Sequence, residues 1–265
     1  MKIIKIVLIN LLLVTLTYAK VRVDDGSKAL EKQPILHLLT VSLDEYKNSR
    51  FNLLYCNSDA YFIEKSFKEH GKKVFKSVFT YSLKDNQVTK ENFRLTVKKI
   101  AKNISKDDVF IIYMAGHGTA DRDRFYFMSY GSDVKNFRKN AIDEKTFIDA
   151  LSLLPTTNAL LLIDSSNSGR LVQNISARVE INMISSTEAN QHAVDGYKKK
   201  HSPFTYLILE AMKSKKVHGV DNRLSVAELS EYIHYSLPKL TLKEFGHKQN
   251  SMVYLKGMPF IIGGL

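Results

Sequence analysis

The chain has 265 residues, 44% hydrophobic and 25% charged, with only 5 prolines, so it can bury one sizeable core; disorder and collagen-like repetition are excluded. Its formal net charge of +12, from 39 basic and 27 acidic residues, suits an anionic partner or an ordinary lysine-rich surface. The single cysteine, Cys56, excludes an intramolecular disulfide and any multi-thiolate zinc site, and leaves open whether this one thiol is a nucleophile.

Residues 1–19 are read as a signal peptide. Lys2 and Lys5 precede an apolar run from Ile6 to Leu16 broken by Asn10, and Thr17 and Ala19 flank Tyr18 like a cleavage site before Lys20. The run is shorter than the ~20 apolar residues of a spanning helix. An uncleaved N-terminal anchor is the alternative; a lipoprotein anchor is excluded because no cysteine lies near the cleavage point. Cleavage removes two of the 39 basic residues, leaving 37 against 27 and a net +10, on an exported protein, periplasmic or secreted, with no stable membrane span. Residues 20–34 are polar and aperiodic, a leader into a domain covering residues 35–265.

Within that domain strands and helices alternate. Ile35 to Leu43 is a near-continuous apolar run, the pattern of a strand buried on both faces. Asp59 to His70 reads as a helix on the spacing of Ala60, Ile63 and Phe67, with Gly71 as its stop. Lys73 to Thr80 alternates as a strand, and Thr89 caps a helix running to about Lys102. Val109 to Ala115 and Leu160 to Ile163 read as two more buried strands. Between them lie a hairpin around Arg124 to Tyr130 and a helix from Asp143 to Leu153, closed by Pro155. A strand at Ile181 to Ser185, helices at Pro203 to Lys213 and Ser225 to Tyr235, and a short strand at Met252 to Leu255 complete the series. Buried strands separated by helices predict an α/β fold of three layers, a mostly parallel sheet with helices on both faces.

Ligands of open α/β sheets bind off the carboxyl ends of the strands. Two strand ends here turn polar at once: Ala115-Gly116-His117-Gly118 and Asp164-Ser165-Ser166-Asn167-Ser168-Gly169-Arg170. A histidine between two glycines at a strand end suits a general base as well as a structural turn. Asp164 and Ser166, two residues apart in an extended segment, face one side.

These segments, Tyr113 to Gly118 and Leu162 to Gly169, resemble the two catalytic strand ends of caspase-like peptidases, in particular the bacterial and metacaspase-type branch. Leu53 to Ala60 is similar to that family's Leu…Cys-x-x-Asp-Ala stretch, and Ser202 to Leu207 to its Phe-Thr-Tyr helix start. Leu224 to Leu229 and the region of Gln249 are similar to its closing segment. The resemblance implies the three-layer caspase-like fold and an endopeptidase of the His/Cys-dyad type acting on a peptide or protein, with no cofactor. His117 matches the catalytic histidine, Ser166 stands at the position of the nucleophilic cysteine, and the N–H groups of Gly118 and Ser166 form the oxyanion hole. Asp164, Asp59, Cys56 and Ala115 match the pocket that takes an arginine or lysine before the scissile bond. Asp59 as a helix cap and Asp164 as a structural partner of Arg170 are the plainer alternatives.

Two positions depart from the family's pattern. Ser166 replaces a thiol that would be partly ionised beside a histidine with a hydroxyl that needs a well-placed base, a loss of several orders of magnitude in rate. It leads to three readings: a pseudo-peptidase that binds a peptide or partner without cleaving, a weak serine-type hydrolase, or an inactivated form of a cysteine enzyme. Ala115 replaces a serine common in the pocket of metacaspase relatives. No acidic cluster matches a calcium or other metal site; Asp121, Asp123 and Asp133 read as solvated loop charges. Lys198-Lys199-Lys200 and Lys213 to Lys216 lack interleaved aromatics, so no nucleic-acid partner is expected.

Overall fold

The computed structural model describes residues 33–198, 200–256 and 259–265; the segment read as a signal peptide and most of the one read as a leader lie outside the described residues. The apolar run after Pro34 forms β1 (Ile35–Ser42). A loop leads to α1 (Cys56–Gly71), which starts three residues earlier than its apolar spacing predicts. The Asp44 carboxylate accepts the backbone N–H groups of Cys56 at 2.8 Å and Asn57 at 3.1 Å, so the helix is capped from outside its own segment. Cys56 is thus the first residue of the helix.

Next is β2 (Ser77–Lys84), four residues later than the alternation suggests. Val74 and Phe75 donate their N–H groups to the Gly71 carbonyl in the turn leaving α1, and pairing starts only where Ile35 meets Ser77. Thr89 caps α2 (Lys90–Ala101), as its sequence predicts. β3 (Val109–Ala115) is buried at every position. The hairpin follows as β4 (Gly118–Asp121) and β5 (Arg124–Phe127), earlier than expected. Its turn residues Arg122 and Asp123 both take positive φ, the backbone of a tight two-residue hairpin turn. The short helix α3 (Phe137–Asn140) and β6 (Ile142–Asp143) lead into α4 (Glu144–Leu151), which Asp143 caps.

β7 (Ala159–Asp164) lies beside β3. Immediately after its polar end comes α5 (Ser168–Ile175), absent from the sequence expectation, with Leu171, Val172 and Ile175 on its buried stripe. β8 (Asn182–Ser185) and α6 (Pro203–Ala211) fall where predicted. β9 (Arg223–Ser225) precedes α7 (Val226–Phe245), which runs ten residues past its expected end. Pro238 fails to stop it because the buried stripe Leu229, Ile233, Leu237 and Thr241 continues across it; Gly246 at φ 75° ends it. β10 (Met252–Tyr254) and β11 (Ile261–Gly264) close the chain.

Six strands form the central sheet in the order β10-β8-β7-β3-β1-β2, parallel except for β10. Period-two alternation sends Phe110, Ile112, Leu161 and Ile163 to a core covered by α2, α4, α5 and the hairpin. Val109, Ile111, Leu160 and Leu162 face a second core under α1, α6 and α7. The fold is the predicted three-layer arrangement. Among the described residues, no helix is long and apolar enough to cross a membrane.

Candidate active site

Register decides which residues meet. Ala115 pairs with Asp164 across β3 and β7, so both polar strand ends emerge side by side at the carboxyl edge of the sheet. Asp164 shares its face with Leu160 and Leu162, which turns its carboxylate toward the α1 and α6 layer. A cavity of about 120 Å³ opens there; His117, Ser166, Asp164, Asp59, Cys56 and Ala115 all line it. Gly118 lies behind the wall, against the turn at Ser166: a Cβ on it would stand 2.2 Å from the Ser166 carbonyl oxygen. That approach admits only glycine.

His117 is held at three points. Its backbone N–H donates to the Tyr46 hydroxyl at 2.9 Å, and its ring lies between the rings of Tyr46 and Phe51, at 5.2 and 6.0 Å. Nε2 lies 2.9 Å from the Phe51 carbonyl, which can only accept, so the proton of the neutral ring sits on Nε2 and the lone pair is left on Nδ1. Burial pulls the imidazole below its ordinary value of 6.5, against the Phe51 bond and the Asp195 charge, so the ring is neutral at pH 7.

Ser166 precedes Asn167, whose φ of 60° bends the strand sharply into α5. Its Oγ accepts the Ala193 N–H at 3.0 Å. The neighbouring Ser165 hydroxyl is buried without a hydrogen-bond partner and lies against Gly118, where a Cβ would stand 2.6 Å from it.

The two aspartates are bonded to the chain entering α6. Asp59 Oδ1 lies 2.6 Å from His201 Nδ1, and Oδ2 accepts the Ser202 N–H at 3.1 Å. Ser202 Oγ donates to Asp164 Oδ2 and accepts the Thr205 N–H at 3.0 Å, capping α6. Neither plainer alternative holds: Asp44 rather than Asp59 caps α1, and Arg170 reaches Asn190 at 2.6 Å and Asp123 at 3.5 Å instead of Asp164. Burial pushes Asp59 above its ordinary range and Asp164 up to about 7. Burial also pushes the Cys56 thiol well above 9.0, reinforced by Asp44, Asp59, Asp164 and Asp195. The one thiol of the chain is therefore protonated and a poor nucleophile.

Tyr46, Phe51, Ala193, Asp195 and His201 complete the site and were not singled out in the sequence, and Ser202 was read there only as part of a helix start. They sit in loops with no hydrophobic period, and the partners they meet are distant in the chain. The Asp-Gly step at Asp195-Gly196 signals a turn only.

The caspase domain family model matches residues 37–257. No curated protein matches. Among solved structures, a crystal structure of a Geobacter sulfurreducens protein superposes with a TM-score of 0.59 at 16% identity, covering 86% of this chain and 95% of that one. At that identity the likeness supports the fold alone.

Proposed function

Because the chain belongs to the caspase domain family of peptidases, whose substrates are peptides or proteins, we propose that the cavity off β3 and β7 is a peptidase site of the His/Cys-dyad type, with Ser166 at the nucleophile position and a preference for arginine or lysine before the scissile bond. The observation that carries this reading is the Ala115 to Asp164 register, which gathers His117, Ser166 and the pocket aspartates around one cavity. In the reaction, His117 Nδ1 takes the Ser166 Oγ proton as Oγ attacks the carbonyl carbon. The oxyanion is received by the N–H groups of Gly118 and Ser166. Met128 donates to the His117 carbonyl at 2.9 Å, and Gly118 faces Phe127; alternation along an antiparallel pair then leaves the Gly118 N–H outside the ladder. The proton passes from His117 to the leaving amine as the acyl-enzyme forms, and water reverses the sequence to release the acid.

A hydroxyl at this position depends on His117 far more than a thiolate would, and one of its two lone pairs is already engaged by the Ala193 N–H. Catalysis by the chain is accordingly impaired. That same hydrogen bond favours a second reading, a non-catalytic module that holds a peptide or partner in the cavity. Export of the protein, read from residues 1–19, belongs to this proposal and is checked by N-terminal sequencing of the mature chain.

The deciding experiment compares purified wild type with Ser166→Cys on fluorogenic peptides ending in arginine, lysine or aspartate. Cleavage of the basic peptides by Ser166→Cys, raised by several orders of magnitude over wild type and abolished by adding His117→Ala, is expected. Silence of Ser166→Cys on all three would sink the peptidase reading; cleavage by wild type that needs His117 would sink the pseudo-enzyme one.

A further inference from the structure

On the α4 and α5 side of the sheet a second cavity, of about 600 Å³, lies between β5, α4 and the turn that follows α5. It shares no residue with the cavity at Ser166. Its cations are Arg124, Arg138, Arg178 and Lys145. Of the 39 basic residues in the chain 9 are arginine and 30 are lysine, yet three of the four that line this cavity are arginine. Arginine presents a planar fork of N–H donors that meets two oxygens of an oxyanion at once, which a lysine ammonium cannot do. A chain that draws most of its positive charge from lysine has gathered its forks here.

The acids of the same cavity do not neutralise them, because each already holds other donors. Asp143 accepts the Thr146 N–H at 2.9 Å and the Lys90 ammonium at 2.9 Å. Glu144 Oε1 accepts the Phe125 N–H at 2.7 Å and the Asn174 amide at 2.6 Å. Asp149 takes Lys145 at 2.6 Å, with Arg94 at 3.5 Å. Among the described residues, the guanidinium groups of Arg124 and Arg178 have neither an ion pair nor a hydrogen bond.

The backbones that carry these forks are fixed. Arg124 opens β5 opposite Asp121, directly after the left-handed turn, and the Arg178 N–H donates to the Ile175 carbonyl at 2.8 Å. Arg138 is oriented through its side chain: Nε donates to Asp121 at 2.7 Å, and the guanidinium lies 4.9 Å over the Phe137 ring. Its two terminal nitrogens stay unbonded among the described residues. Two uncompensated guanidinium groups, with the open end of a third in the same wall, match a dianion with three oxygens better than a carboxylate with one charge and two. The volume falls within the roughly 300–1,000 Å³ of small-molecule sites, so there is room for an organic body beside the anion, against Tyr126.

We propose that this cavity is a binding site for a soluble phosphomonoester, whose phosphoryl oxygens are received by Arg124 and Arg178 with Arg138 beside them. A ligand held there spans the hairpin that begins at Gly118 and the helix that begins just past Ser166. The assignment stands apart from the peptidase reading, since it uses none of that site's residues. Removing one charge-assisted fork from such a contact weakens binding by about tenfold or more.

The probe is phenyl phosphate, a dianion at pH 8, titrated into the wild-type chain by calorimetry at a fixed ionic strength of about 0.15 M so that unspecific attraction to a basic surface is screened. Phenyl sulfate, of the same shape with a single charge, is the comparison. Wild type is expected to bind the phosphate at least about tenfold more tightly than the sulfate. Arg124→Gln and Arg178→Gln should each weaken phosphate binding by about tenfold or more. Arg124→Lys, which keeps the charge and loses the fork, should recover only a small part, and Arg223→Gln, at an arginine outside the cavity, should change nothing. The assignment is overturned if wild type gives no binding heat, if sulfate binds as tightly as phosphate, if affinity survives both glutamine variants, or if Arg124→Lys or Arg223→Gln shows that charge alone is being read. Vesicles of phosphatidylcholine containing phosphatidic acid are the last arm. Retention on them that needs Arg124 and Arg178, with no binding of phenyl phosphate, would place a lipid headgroup in the cavity and overturn the soluble ligand.

Discussion

Asp164 couples the pocket to stability through its proton. Unfolded, it titrates near 3.8; folded, near 7. Between those values the folded chain holds a proton that the unfolded chain has lost, so the contribution is full below about pH 4 and disappears as pH rises through 7. Asp164→Asn keeps the shape and removes the ionisation. It should raise the unfolding free energy at pH 8 by an amount on the order of 1–4 kcal/mol, seen as a higher Tm, and change it little at pH 4; an equal difference in thermal melts at both pH values would refute this. His117 is expected to titrate below 6.5 by NMR, because burial outweighs the Phe51 bond and the Asp195 charge. The positions of His117 and Ser166 at the cavity were legible because each lies just past the end of a buried strand, two residues after Ala115 and Asp164. Tyr46 and Phe51 were not, since what makes them functional is a bond to a residue 71 or 66 positions away.

Among the elements, α5 explains the geometry behind Ser166 and was the one most hidden in the sequence. Its eight residues follow a polar strand end, and the same polar letters that advertised a site disguised a helix start. Gly169 in its first turn is packed on backbone: a Cβ there would lie 2.6 Å from the Thr187 carbonyl oxygen and 2.8 Å from the Ala189 nitrogen. An ordinary helical glycine replaced by alanine gains about 0.4–1 kcal/mol. Here backbone must move, so Gly169→Ala should lose about 1–3 kcal/mol in urea unfolding, and any gain in stability would contradict the packing. The other misplacements have related causes. α1 begins early because Asp44 caps it from a distant loop, and β2 begins late because its register answers to β1. Both are tertiary facts that a local period does not contain. The long strands β1, β3 and β7 were legible because burial on both faces leaves an uninterrupted apolar run.

For the whole molecule, one sheet separates two cores, and neither exists without it. Leu161 and Leu162, adjacent and both fully buried, belong to opposite cores. Leu161→Ala and Leu162→Ala should each remove about 2–5 kcal/mol and shift one and the same calorimetric transition. Two separate transitions in either variant would mean that the layers unfold independently. This shared sheet also made the α/β architecture readable from alternation alone, while the cavity, assembled from α1, the strand ends and the loop before α6, required the folded chain.

Ser202 sits where these scales meet. One hydroxyl both caps α6 and holds the Asp164 carboxylate, so its oxygen serves helix initiation and the pocket floor at once. Substitutions that retune the floor must therefore pass through a helix start, which narrows the routes by which the deep pocket can diverge.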